Sequence, residues 1–256
     1  MRSRHYLQLL SLLLAPWLCA AASGGERTPA ELTDLETTAD YAFYSEDVHL
    51  LARLVDGAAT LADSDSMLAQ YQYAHAAFRQ LQRAVLGHDG KTAGRAGELC
   101  VRALDRLLER APRDAEASAL RAACNAYLAL GGGMRGQLLA LRVSEDLQMA
   151  STQAPRNPRV LLTRGLARWY RRDATAVDRA AARADFEAAA RLFELPTTSN
   201  GGEPTWGAAE AWLYAGLAAA ADGELLAARN CYEKSLLVAP DFAAARRALT
   251  ALAATP

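Results

Sequence analysis

From Ser66 onward, apolar residues recur three and four positions apart, the spacing that gathers them on one face of an α-helix. The pattern predicts helices over residues 66–86, 93–110, 114–130, 135–153, 158–171, 178–194, 207–221, 224–238 and 241–252. The stretches GHDG, APRD, GGG, APRNP and LPTTSNGGEPT break the periodicity between most of them. Upstream, TPAEL offers Thr28 as a cap, Pro29 at the first helical position and Glu31 at the third. SEDVHLLARLV then offers Ser45 as a cap ahead of a stripe of Val48, Leu51, Leu54 and Val55, so two short helices are expected between Thr28 and Thr60. No long stretch is rich in Val, Ile or Thr, and strands are not expected. Short breaks between successive helices imply antiparallel neighbours.

A longer period overlies the helical one. Pro112, Pro155, Pro196 and Pro240 each follow a helix, at intervals of roughly 40 to 45 residues, and a recurring unit of helix, turn, helix and proline is the sequence signature of a solenoid. The last third carries it most clearly. Trp212, Gly216, Gly223, Ala228, Tyr232, Ser235 and Pro240 fall at the spacings of the tetratricopeptide repeat, which this segment resembles. Ala215 and Ala219 depart from the pattern, which prefers Leu and Tyr there. Gly165, Ala182, Phe186 and Ala189 repeat it one unit earlier around an insertion in RRDATAVDR; Ala122 and then Cys100 and Leu104 carry weaker traces. PRNPRVLLTRG and PTWGAAEAWLYAGLA are also similar to segments of exported bacterial proteins of this family. The resemblance implies an all-α, right-handed α-solenoid of antiparallel helix pairs over residues 66–256, preceded by an N-terminal helical cap over 23–65. Gly216 and Ala228 are small where paired helices must approach, and Trp212 and Tyr232 are expected to fill the space beside them.

The N-terminus has a different character. Arg2 and Arg4 precede an apolar run from Tyr6 to Leu18 and then small residues, the layout of a secretory signal over residues 1–22 cleaved near Ala22. The run is too short to span a bilayer comfortably. Pro16, Trp17 and Leu18 are bulky where a lipobox wants small residues, which argues against a lipid anchor on Cys19. The mature chain is therefore expected in the periplasm or outside the cell, with no transmembrane segment.

Composition narrows the chemistry. Of 256 residues 52% are hydrophobic, but many are alanine, which favours helices in close contact. The formal charge of −1 and the mixing of Arg with Asp and Glu argue against a nucleic-acid surface. GHDGKT lacks the earlier glycine of a phosphate loop, since Val85 stands in its place and a helix, not a strand, precedes it. His5, His49, His75 and His88 lack metal-ligand spacing, and His75 is expected to be hydrogen-bonded and partly buried. No nucleophile elbow or C-x-x-C pair is present. No enzyme activity, metal or cofactor is expected. Beyond the signal, Cys100, Cys124 and Cys231 remain. Cys100 and Cys124 stand twelve residues either side of Pro112, on helices expected to be antiparallel, so either a helix-pinning disulfide or separate buried thiols fit.

In tetratricopeptide arrays the first helix of each unit lines a concave groove. Transferred to this sequence, that pattern points to Glu116, Tyr127, Arg159, Trp169, Tyr170 and Glu210 as partner-contacting residues. Trp169 and Tyr170 serve equally well as covers for the long turn that follows them. The resulting expectation is a non-enzymatic exported scaffold that binds a protein or peptide through its groove. The alternative is a periplasmic small-molecule-binding helical protein, accessory to a transport system.

Overall fold

The computed structural model describes residues 27–196 and 203–254; the expected signal over residues 1–22 lies outside them. Helices α1 (Pro29–Tyr44) and α2 (Val48–Gly57) and a short 3-10 helix (Ala59–Asp63) come first. Four antiparallel pairs follow: α3 (Met67–Leu86) with α4 (Gly90–Arg110), α5 (Ala115–Ala129) with α6 (Gly133–Gln153), α7 (Pro158–Trp169) with α8 (Ala176–Phe193), and α9 (Ala208–Ala221) with α10 (Leu225–Val238). Helix α11 (Ala243–Ala253) covers the last pair. The described residues contain no strand.

The caps explain where the helices begin. Thr28 and Glu31 form the expected capping box, and Thr175 and Asp178 form a second one. Two starts differ from the sequence reading. Ser45 caps nothing ahead of it; its hydroxyl donates back to Tyr41, and Asp47 caps α2 by accepting from Leu50 N–H at 2.8 Å. GHDGKT is a helix start as well as a turn, because Asp89 accepts from Thr92 N–H and brings Gly90 and Lys91 into the first turn of α4.

Within the pairs, small residues admit rings. A Cβ on Gly165 would stand 2.6 Å from Phe186 Cε1, and one on Gly216 would stand 2.5 Å from Tyr232 Cε1. The same contact thus holds α7 to α8 and α9 to α10. Trp212 packs against the main core, while Tyr232 is buried in the cluster at the last pair. Trp212 is partly buried, and its ring also lies under the Lys234 ammonium, 4.0 Å from the ring centroid. A second repeated contact is ionic: Arg121 grips Asp146 from α5 to α6, and Arg164 grips Asp185 from α7 to α8, each through two nitrogens. Cys100 and Cys124 are joined in a disulfide between α4 and α5, with Cα atoms 6.5 Å apart, while Cys231 is free.

The two ends of the stack meet. Tyr44 at the end of α1 lies 4.5 Å, centroid to centroid, from Phe242 before α11, and Arg247 pairs with Glu46 at 2.8 Å. The first helices therefore curve around an interior that the chain itself fills.

Candidate functional site

The first helices α3, α5, α7 and α9 run parallel, so residues at similar distances along them form layers across the concave side. The layer at their N-terminal ends is polar and tightly bonded. Glu116 accepts from Arg159 Nε at 2.8 Å, from Asn157 Nδ2 at 2.5 Å and from Tyr71 Oη at 3.5 Å. Trp206 Nε1 donates to Tyr71 Oη at 3.0 Å. From α1, Glu36 accepts from the backbone of Thr205 and Trp206, and also from Gln72, which ties the segment before α9 to the N-terminal helix.

The middle layer is built on Arg79, whose side chain is fully buried. Its guanidinium pairs with Asp40 of α1 at 2.6 Å and with Glu210 of α9 at 2.5 Å. The rings of Phe43, Trp206, Tyr44 and Phe78 surround it at 4.6–6.0 Å. Burial opposes ionisation of Asp40, but Arg79 and then His75 outweigh it and hold the carboxyl below its ordinary range. Burial, with the Glu210 and Asp40 charges beside it, pushes the Tyr44 phenol well above its usual value. His75, expected to be partly buried, is wholly buried; it stacks on Trp206 and reaches Asp40 at 3.3 Å.

The layer at the C-terminal ends is aromatic. Gln82 donates to Tyr127 Oη at 3.4 Å, Phe78 packs edge-on to Tyr127, and Tyr170 meets Tyr214 edge-on at 6.2 Å. Burial, then the neighbouring Tyr127 and Tyr170, pushes the Tyr214 phenol well above its usual value.

The six residues expected to face a partner therefore divide. Arg159 and Glu210 are buried and bonded to the chain's own residues, and Glu116, partly buried, is bonded in the same way. Their charge is matched internally, so they form part of the core that closes the groove. Tyr127 and Trp169 are partly exposed, and Tyr170 is exposed at the rim. Trp169 also packs edge-on to Phe186 and under Arg179, as a cover for the following turn does. Arg79, Asp40, Glu36 and Trp206 were not singled out by sequence. The signal available was an Arg in the apolar stripe of α3, but its partners lie more than a hundred residues away or on α1.

Two clefts accompany this core. One, of about 250 Å³, lies at the seam between α1 and the start of α9, against Asp40, Tyr41, Tyr44 and Trp206. The other, of about 530 Å³, lies on the outer side between α4, α5 and α6.

The exposed apolar residues are unevenly placed. In a stack of antiparallel pairs, every turn from a first to a second helix falls on the same edge. On that edge Leu86, Leu130, Met134, Tyr170, Val177 and Leu226 are each 60% or more exposed. Among the described residues the opposite edge carries Met67 at the first helix, Leu195 on the α8–α9 turn, and Leu237 and Val238 at the end of the last pair, while its α4–α5 and α6–α7 turns present Arg113 and Arg156 to solvent. Among the described residues no helix is long and apolar enough to cross a membrane.

No family model matches the sequence, and no curated protein does. Among solved structures, the fold is similar to the crystal structure of a thermophilic TPR protein of Thermus thermophilus, with a TM-score of 0.53 at 17% identity. The match covers 89% of this chain and 100% of that one. Likeness over that span, with helix pairs joined by small-residue and ring contacts at repeating positions, gives this chain the all-α solenoid fold of a tetratricopeptide-repeat protein.

Proposed function

We propose that this protein is an exported, non-enzymatic scaffold that holds a protein partner along the edge formed by its first-to-second helix turns. The observation that carries the reading is the row of exposed apolar side chains there, with Leu130 and Met134 on one turn and Tyr170 and Val177 on the next. Large exposed apolar side chains gathered on one edge suit an interaction site, and in solenoids one face of turns often binds. The groove itself is a poorer host, because Arg79, Tyr127, Trp206 and Tyr214 occupy its interior. The partner then meets the groove only at its rim, where Tyr170 and Trp169 stand. Export is supported by the Arg, apolar and small-residue order of the N-terminus and by the buried Cys100–Cys124 bridge, since disulfides persist in oxidising compartments.

The test is affinity capture from native envelope extract with the wild-type chain and with Met134→Ser plus Tyr170→Ser. A protein partner retained by the first and lost by the second is the expected result. A partner held equally by both removes the edge from the account.

A further inference from the structure

We propose that α1 exchanges between two copies of this chain, so that each copy's α1 seats against the α3 and α9 of the other in a twofold dimer. The inference goes beyond the partner edge and does not rest on it.

What grips α1 lies far along the chain. Glu36 accepts from the backbone N–H groups of Thr205 and Trp206, Asp40 pairs with Arg79 of α3 at 2.6 Å, and the Tyr44 hydroxyl donates to Glu210 of α9 at 2.6 Å. Only Ser45, Glu46 and Asp47 join α1 to α2. A second copy presents the same seat, so an exchanged α1 makes the same contacts between chains that it makes within one.

The connection is the strained point. Glu46 lies at φ 65, in the left-handed region that a residue with a side chain enters at a cost. From Ala30 to Asp56 the sequence holds neither Gly nor Pro, so Ser45–Asp47 can continue the helix and join α1 to α2 in one straight rod. Straightening returns Glu46 to the right-handed region. The bent form is held by Glu46 with Arg83 at 2.9 Å and with Arg247 at 2.8 Å. Glu46 is partly exposed, where such pairs are weak and salt screens them.

Two exposed apolar residues flank this hinge. Tyr41 is 52% exposed and Val48 49%, on separate helices while the chain is bent. In the straight rod Tyr41, Ser45, Val48 and Ala52 fall at helical positions i, i+4, i+7 and i+11, which share one face. Two rods crossing antiparallel at a twofold axis set Tyr41 of each copy against Val48 of the other and cover both. The exchanged dimer thus gains a contact that the monomer lacks, and it releases the bend at Glu46.

The experiment is refolding of the oxidised chain from urea at low and at high protein concentration, with the products resolved by size-exclusion chromatography and light scattering. A dimer whose yield rises with concentration is expected. Glu46→Ala and Glu46→Gly both remove the ion pairs, but Gly accepts the bend and resists the straight helix, so its dimer is expected to dissociate at least about tenfold more readily than that of Glu46→Ala. A photoreactive side chain in place of exposed Thr37, which lines one cleft with Thr205 and Ala208, reports the chain on which α1 sits. Irradiated dimer is expected to give a covalent dimer on a denaturing gel, and irradiated monomer is not. A chain that stays monomeric after refolding at high concentration, a dimer that separates on that gel, or equal dissociation of the two Glu46 variants overturns the proposal.

Discussion

Arg79 of α3 and Glu210 of α9 meet across the concave side, Nη1 to Oε1, at 2.5 Å, although the helices that carry them stand at opposite ends of the repeat stack. Asp40 takes the other side of the same guanidinium, so one buried cation joins the N-terminal helix to the last pair. A buried ion pair adds little over an apolar pair of the same shape, but breaking it strands a charge. Arg79→Leu leaves Asp40 and Glu210 without a counter-charge and is expected to cost about 3–5 kcal/mol. Adding Asp40→Asn and Glu210→Gln to that variant recovers part of the loss. Urea denaturation of the three chains measures both effects.

The same pair sets the acid side of the stability profile. An unfolded aspartate titrates near about 3.9, and Asp40 in the fold titrates lower. A depressed folded value means the stabilisation is complete above the unfolded pKa and is lost as pH falls through the folded one. Unfolding free energy is expected to hold down to about pH 5 and to fall below about pH 4, with the fall shallower in Asp40→Asn.

The alkaline side follows from the phenols. Tyr71 is buried, Tyr44 and Tyr214 are partly buried, and all three ionise well above the ordinary value of about 10. Their stabilisation is present below that pH and is lost as pH rises through the raised folded values, because the unfolded chain ionises first. Phenolate absorbance is expected to show a group of tyrosines that titrates only together with unfolding.

Glycine at the helix contact resists its usual improvement. Gly216→Ala gains about 0.8–1.0 kcal/mol of helix propensity, yet its Cβ would stand 2.5 Å from a Tyr232 ring that is 2% exposed. Overpacking of this kind costs about 1–3 kcal/mol, so the net change is destabilising. Gly165→Ala, which meets Phe186 in the same way, is expected to match it. Gly94→Ala on α4, where nothing lies within 4 Å, should stabilise. Thermal melts of the three variants test this order.

The bridge between α4 and α5 closes a loop of 24 residues, for which chain entropy gives about 3 kcal/mol. Cys100→Ala with Cys124→Ala is expected to lose about 2–4 kcal/mol while remaining helical by circular dichroism. An unchanged melting temperature on reduction of the wild type would contradict the bridge.

Much of the fold was legible because local signals and the long period agree. Pro112, Pro155 and Pro240 follow helix ends, Gly216 and Tyr232 touch as their spacing implies, and the nine helices expected from Ser66 onward all appear. The groove was legible only in outline. Periodicity placed Arg159, Glu210 and Tyr170 on first helices, but it could not say how tightly the stack curves. That curvature is set by contacts between distant segments, such as Glu36 with Trp206 and Tyr44 with Phe242, which no local spacing encodes. It is also what turns Arg159 and Glu210 from surface charges into core.

The central claim is that a partner protein lies along the edge of first-to-second helix turns. Site-specific photo-crosslinking tests it most directly, with the photoreactive side chain placed at Met134, Tyr170 or Val177 on that edge and at Arg113 or Arg156 on the other. The account predicts one protein adduct, shared by the first three positions and missing from the last two. Adducts formed from Arg113 and Arg156 but not from Met134, Tyr170 and Val177 would contradict it.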